Sequence, residues 1–228
     1  MMKKALFSTL GVLALAGACT AAPQQCTAVE NIDVNTIAGG CIAGAYLFNN
    51  FDWTAAGISP NQGPVVITGI FSDPANSIYG LIFDPQLFGI APATPADIHL
   101  TFSVTNATDP TIPNVYQVGV IVPGGPTNTG SGTHVQENGC TTPMAQDSGA
   151  CSGTLLFSVT AFVGQTVPLQ QITPVSQVWI WKDLNASDPR IASQLTSFTE
   201  TFQAPEPGTM ALFGAAFLAF GLIRRKLS

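Results

Sequence analysis

Between residues 23 and 204 the chain consists of short apolar or alternating runs separated by clusters of turn residues. The runs are Ala45 to Trp53, Val65 to Phe71, Tyr79 to Phe83, Asp97 to Val104, Val115 to Val122, Gly132 to Glu137, Gly153 to Phe162, Ser176 to Asp183 and Gln194 to Phe202. Each has strand length and is rich in β-branched or aromatic side chains, which suit a pleated, half-buried surface. Ser59-Pro60-Asn61-Gln62-Gly63-Pro64, Pro92 to Pro95, Asp109-Pro110 to Pro113 and Pro123-Gly124-Gly125-Pro126 punctuate them. Stripes at the helical period are nearly absent, with one short helix expected near Glu30 to Ile37. This pattern predicts a mainly β domain, an antiparallel β-sandwich or jelly-roll. Val122 to Gly153, full of Gly, Thr, Ser and Asn, is its least strand-like stretch.

The two ends break this pattern. Met1 to Lys4 is short and basic, Ala5 to Ala16 is apolar, and Ala16-Gly17-Ala18 or Thr20-Ala21-Ala22 offers small residues for cleavage. That order predicts a secretory signal peptide over residues 1–22, formed as a helix too short to span a bilayer. Leu15-Ala16-Gly17-Ala18-Cys19 is a degenerate lipoprotein box with the aliphatic residue one place early. Cleavage after Ala22 discards Cys19.

At the other end stand Pro205-Glu206-Pro207, Gly208-Thr209, the apolar stretch Met210 to Ile223, and Arg224-Arg225-Lys226. Fourteen apolar residues rise about 21 Å as helix, against roughly 30 Å of hydrocarbon. Gly208 and Thr209 lengthen the segment, and the basic end can snorkel. A transmembrane helix is therefore expected, with Arg224, Arg225 and Lys226 cytoplasmic and the body outside. The prolines, lacking backbone donors and disfavouring helix before them, make residues 205–207 extended and accessible.

These parts, in this order, resemble the PEP-CTERM sorting signal, with Pro205, Glu206, Pro207, Gly208, Arg224, Arg225 and Lys226 as its motif residues. The resemblance implies recognition by an exosortase and cleavage or transfer near the Pro-Glu-Pro box. Similar tails, labelled as a C-terminal domain, occur on some ice-binding proteins, but the body lacks the Thr-x-Thr ladder of a flat ice-binding face. The body itself is similar to a group of exported PEP-CTERM proteins without a settled activity. It shares with them Cys26, Gly40-Cys41-Ile42, Phe48-Asn49-Asn50-Phe51, Val135-Gln136-Glu137 and Val178-Trp179-Ile180-Trp181-Lys182-Asp183.

Charge narrows the partners. Between residues 23 and 204 only Lys182 and Arg190 oppose twelve carboxylates. Such a body cannot neutralise a phosphate backbone, so nucleic acid is excluded, and anionic membrane surfaces repel it. Four cysteines follow the leader: Cys26, Cys41, Cys140 and Cys151. An even number in an oxidising compartment predicts disulfides, with three connectivities open. Sequence proximity favours Cys26 with Cys41 and Cys140 with Cys151, each closure contributing roughly 3 kcal/mol. Thiolate metal binding lacks the Cys-x-x-Cys spacing.

Chemistry is sparse. Gly130-Ser131-Gly132 is not a nucleophile elbow. His134 and Glu137 point to opposite sides of a strand. His99 alternates with Ile98, Leu100 and Phe102, which puts it on a solvent face without a ligand role. Asp183-Leu184-Asn185-Ala186-Ser187-Asp188 has oxygens at positions 1, 3 and 5 of an EF-hand-like calcium loop but lacks its glycine. An Asx-turn is the competing use. Trp179 and Trp181 share one strand face and could form a sugar-stacking platform, although core placement explains them as well. No catalytic residue, metal ligand or bound cofactor is assigned. The expectation is a non-enzymatic envelope or extracellular-matrix protein that meets extracellular polysaccharide. A lectin-like carbohydrate-binding module, with calcium, is the alternative, and a secreted hydrolase comes third.

Overall fold

Every one of the alternating runs forms β-structure in the computed structural model, which describes residues 22–56, 63–112, 115–126 and 128–204. The strands are β1 Gln24–Gln25, β2 Cys41–Ala43, β3 Tyr46–Ala55, β4 Val66–Asp73, β5 Ile78–Asp84, β6 Leu87–Ile90, β7 Ala96–Asn106, β8 Val115–Val122, β9 Asn128–Thr129, β10 His134–Cys140, β11 Leu155–Phe162, β12 Gln165–Val175, β13 Gln177–Ala186, β14 Ser193–Leu195 and β15 Phe198–Gln203. They build a seven-stranded sheet (β1-β2-β3-β7-β13-β10-β11), a five-stranded sheet (β12-β8-β15-β5-β4) and a three-stranded sheet (β6-β14-β9). The β1–β2 pair is parallel, and the long ladders are antiparallel. The expected signal helix up to residue 21, and the sorting tail with its transmembrane helix over 205–228, lie outside the described residues. Among the described residues no helix is long and apolar enough to cross a membrane.

The period-2 pattern decides which faces meet. Ala96, Ile98, Leu100, Phe102 and Val104 of β7 and Val178, Ile180 and Leu184 of β13 are buried on one face of the seven-stranded sheet. Leu81 and Phe83 of β5, Val118, Val120 and Val122 of β8, and Phe198 and Phe202 of β15 belong to the same core cluster. Rings interlock across the two sheets: Phe83 lies 5.7 Å from Phe102, and Phe202 lies 5.6 Å from Phe48 and 5.9 Å from Tyr46. The two large sheets therefore share one core.

Three local readings change. The helix expected near Glu30 to Ile37 is replaced by the 3-10 turns Cys26–Val29 and Val34–Thr36. Asp33 accepts from Asn35 N at 3.0 Å and from Trp53 Nε1 at 2.7 Å, so its side chain holds a turn that a longer helix would have to break. Gln165–Val175 is a strand with no apolar run to announce it. It is an edge strand whose register shifts at Val167/Gln170 and Gln171/Val175 flank Pro168 and Pro174, the positions where an edge tolerates proline. Gln194 to Phe202 divides into β14 and β15, in different sheets. At the division Asn128 Oδ1 accepts from Thr196 N and Ser197 N at 2.9 and 3.1 Å, while its Nδ2 donates to Pro123 O and Ser197 O, both at 2.7 Å.

Of the three disulfide connectivities, the structure has the two short-range closures. Cys26–Cys41 ties the first 3-10 turn to β2, and Cys140–Cys151 closes the loop that follows β10.

Candidate functional site

Strands β7 and β13 pair with Trp181 opposite Thr101, Asp183 opposite His99 and Asn185 opposite Asp97. On the outer face of the seven-stranded sheet this lines up Trp179, Trp181 and Asp183 beside Asp97, His99 and Thr101. The loop closed by Cys140–Cys151 lies over that face. Trp181 Nε1 donates to Gln146 O at 2.7 Å, Gln146 Nε2 donates to His99 O at 2.9 Å, and Thr101 Oγ1 donates to Gln146 Oε1 at 2.7 Å. Trp179 and Trp181 do share a face, which points away from the inter-sheet core. The platform reading is nonetheless corrected at Trp181: the loop leaves it 5 % exposed, and a Cβ on Gly149 would lie 2.4 Å from its ring. Trp179 remains half-buried.

The same covering corrects His99. Its side chain is 12 % exposed, its ring centroid is 5.3 Å from that of Trp181, and its Nε2 is 3.9 Å from Asp97 Oδ2. Asp97, His99 and Asp183 each offer an atom within 4.8 Å of the others. Two carboxylates and an imidazole are a donor set that a divalent cation accepts, with water completing its shell. The EF-hand-like reading of residues 183–188 is overturned, because Asp183 to Ala186 are the end of β13. Asp188 instead accepts from the backbone N–H groups of Ser131, Arg190 and Ile191 at 2.6, 2.7 and 3.0 Å, which hold it well below the usual carboxylate range.

Burial, reinforced by hydrogen bonding and charge from Asp183, pushes the Asp97 carboxyl up to about 7. A group whose folded pKa exceeds its unfolded value of 3.8 contributes stability that is full below that value and is lost as pH rises through about 7. Asp97→Asn, which keeps the neutral shape, is thus expected to match wild type near pH 4 and to exceed it in thermal midpoint by pH 8. A gap that does not change with pH between those limits would overturn the raised carboxyl of Asp97.

A second constellation lies inside the core. Lys182, Glu137 and Glu200 are each 0 % exposed. Lys182 Nζ is 2.7 Å from Glu137 Oε2 and 2.5 Å from Glu200 Oε2, and lies 5.3 Å from the Phe198 ring centroid. Glu137 sits opposite Lys182 on the neighbouring strand β10, whereas Glu200 reaches in from β15 of the facing sheet. Burial and the Glu137 charge push Glu200 well above the ordinary carboxylate range, and Lys182 offsets this only in part. Burial alone would push the Lys182 ammonium down, but the two carboxylates outweigh it and hold it above its usual value. The shift favours the neutral form of Glu200 and so reduces the negative charge that Lys182 has to balance. The sequence reading missed this set, although its signal is plain. Lys182 falls in phase with Val178, Ile180 and Leu184, Glu200 with Phe198 and Phe202, and Glu137 with Val135.

His134 and Glu137 do lie on opposite faces of β10: His134 Nδ1 is 2.7 Å from Gly132 O at the surface, while Glu137 is in the core. The body's last strand, β15, ends at Gln203, where a further signal begins. Residues 203–226 match the PEP-CTERM protein-sorting motif. The chain carries that motif. It marks an exported protein directed to an exosortase, and the PEP-CTERM tail follows the strand that delivers Glu200 to the core. The disulfides fit an extracytoplasmic location for a protein so targeted. No curated protein and no solved structure matches the chain.

Proposed function

We propose that this is a non-enzymatic envelope or extracellular-matrix protein. In this reading a leader over residues 1–22 exports it, and a disulfide-stapled β-sandwich over 23–204 is its working part. The tail over 205–228 holds it in the inner membrane until an exosortase processes it for display at the surface or release into extracellular polysaccharide. The observation that carries the reading is the PEP-CTERM motif set directly after the last strand. A stapled body with Trp181 sealed under the disulfide loop supports a role in persistence rather than turnover. The lectin-like alternative is weaker, because Gln146 closes off Trp181. The hydrolase alternative is weaker still, because His134 and Glu137 face apart.

The test is the C-terminus of the mature protein. Mass spectrometry of protein from the envelope and the medium is expected to find chains ending between Pro205 and Gly208, and to find them lost in a strain without the exosortase. Intact peptides containing Arg224-Arg225-Lys226 in both fractions would leave only a plain anchor.

A further inference from the structure

We propose that Lys182 and Glu200 condense into an intramolecular amide, with Glu137 as the proton-transfer group, so that the mature body carries a covalent bond between its two large sheets. This goes beyond the sorting reading and stands independently of it. The inference starts from geometry. Lys182 Nζ is 2.5 Å from Glu200 Oε2 and 2.7 Å from Glu137 Oε2, so amine, carboxyl and proton acceptor are already in contact. Holding reactants this way is worth effective concentrations on the order of 10⁵–10⁸ M. All three side chains are 0 % exposed, which excludes the water that would drive the reverse reaction.

The unreacted arrangement is also a costly one. A buried ion pair recovers its desolvation only when its remaining lone pairs are satisfied, yet Glu137 Oε1 and Glu200 Oε1 are buried without a hydrogen-bond partner. Condensation removes the ammonium and the carboxylate charge together. Glu200 is pushed toward the neutral acid, the electrophilic form, and Glu137 is in contact with Lys182 Nζ to take the proton that the raised ammonium must lose.

The step balances within the site. Lys182 passes one ammonium proton to the Glu137 carboxylate, and the freed nitrogen lone pair attacks Glu200 Cδ, forming the C–N bond. Glu137 gives its proton to a Glu200 hydroxyl and takes one from the nitrogen as the C–O bond breaks and water leaves. The products are a secondary amide, one water and protonated Glu137, neutral overall as the reactants were. Glu137 lies on the strand paired with that of Lys182, whereas Glu200 belongs to the facing sheet. The bond to Glu200 therefore joins the sheets.

The experiment is mass spectrometry of the full-length chain, exported, recovered from the envelope and reduced. We expect a mass lower by one water than the sequence of the same termini requires, resistance of Lys182 to trypsin, and a branched peptide joining the Lys182 segment to the Glu200 segment. The full sequence mass overturns the proposal, as does a water lost with Lys182 and Glu200 in separate linear peptides. A branch at Glu137 overturns the assignment of roles. Glu137→Gln keeps both reacting groups, and with circular dichroism confirming its fold, linking is expected to slow by roughly 10²-fold or more. Linking at the wild-type rate would remove Glu137 from the step.

Discussion

Phe102→Ala is expected to lower the unfolding free energy by about 3–5 kcal/mol, the range for deleting a buried aromatic ring. Phe102 is fully buried on β7, which lies between β3 and β13 in the middle of the seven-stranded sheet. Its ring centroid is 6.4 Å from Phe48 and 5.8 Å from Phe51 in its own sheet, and 5.7 Å from Phe83 in the facing one. Phe83 in turn stacks on Phe198 at 5.1 Å. Removing Phe102 opens a hole where the sheets meet, and strands paired on both sides cannot collapse into it, so the cavity cost adds to the lost transfer energy. Phe88→Ala is the control. Phe88 is 52 % exposed, and its loss is expected to stay within about 0.5 kcal/mol. Urea unfolding of the two variants decides the matter. If Phe102→Ala costs no more than Phe88→Ala, the two sheets do not share the core described above.

Strand positions were legible because alternation is a property of the local chain. Val115 to Val122 keeps both expected ends, and Asp97 to Val104 grows by one residue at its start and two at its end. What resisted reading was whatever depended on a distant partner. Gln194 to Phe202 looks like one strand until Asn128, remote in sequence, takes the N–H groups of Thr196 and Ser197 and turns the chain between sheets. β12 is hidden by its glutamines and prolines, which an edge tolerates and a central strand would not. Trp181 faces outward as its phase requires, yet a disulfide loop carrying Gln146 covers it.

The candidate sites divide along the same line. Alternation puts His99 on the outer face, and Asp97, two residues before it, shares that phase, but the register that sets Asp183 opposite His99 is not written in either segment. For the core set, phase alone puts Lys182 among Ile180 and Leu184, and Glu200 among Phe198 and Phe202. A charge in an inward phase demands a counter-charge, so the sequence poses the question. Only the packing of β13 against β15 answers which carboxylate it is.

That pairing sets up the second large effect. Lys182→Met is expected to cost about 3–5 kcal/mol near neutral pH, the range for removing one partner of a buried charged group. The substitution keeps the apolar stem, so the loss reports on Nζ rather than on packing. It leaves Glu137 and Glu200 facing each other in a dry core without a cation. At pH 4 the deficit should shrink, because the raised Glu200 carboxyl then binds its proton in the unfolded chain as well, so its burial without the cation no longer costs stability. A variant as stable as wild type at neutral pH would remove the buried charge set from the account of the fold. The diagnostic comparison adds Glu137→Leu and Glu200→Leu to Lys182→Met, removing every charge at once. If the cost is only that of unpaired carboxylates, the apolar set recovers most of it, since replacing a buried charged group by hydrophobic residues is often neutral or better. If wild type owes its margin to an amide across the 18-residue separation of Lys182 and Glu200, the triple variant stays unstable by roughly the 3 kcal/mol that closing a loop of such length provides. Urea unfolding of the wild type, the single and the triple variant therefore distinguishes a charge that needs its partner from a bond that holds two sheets together.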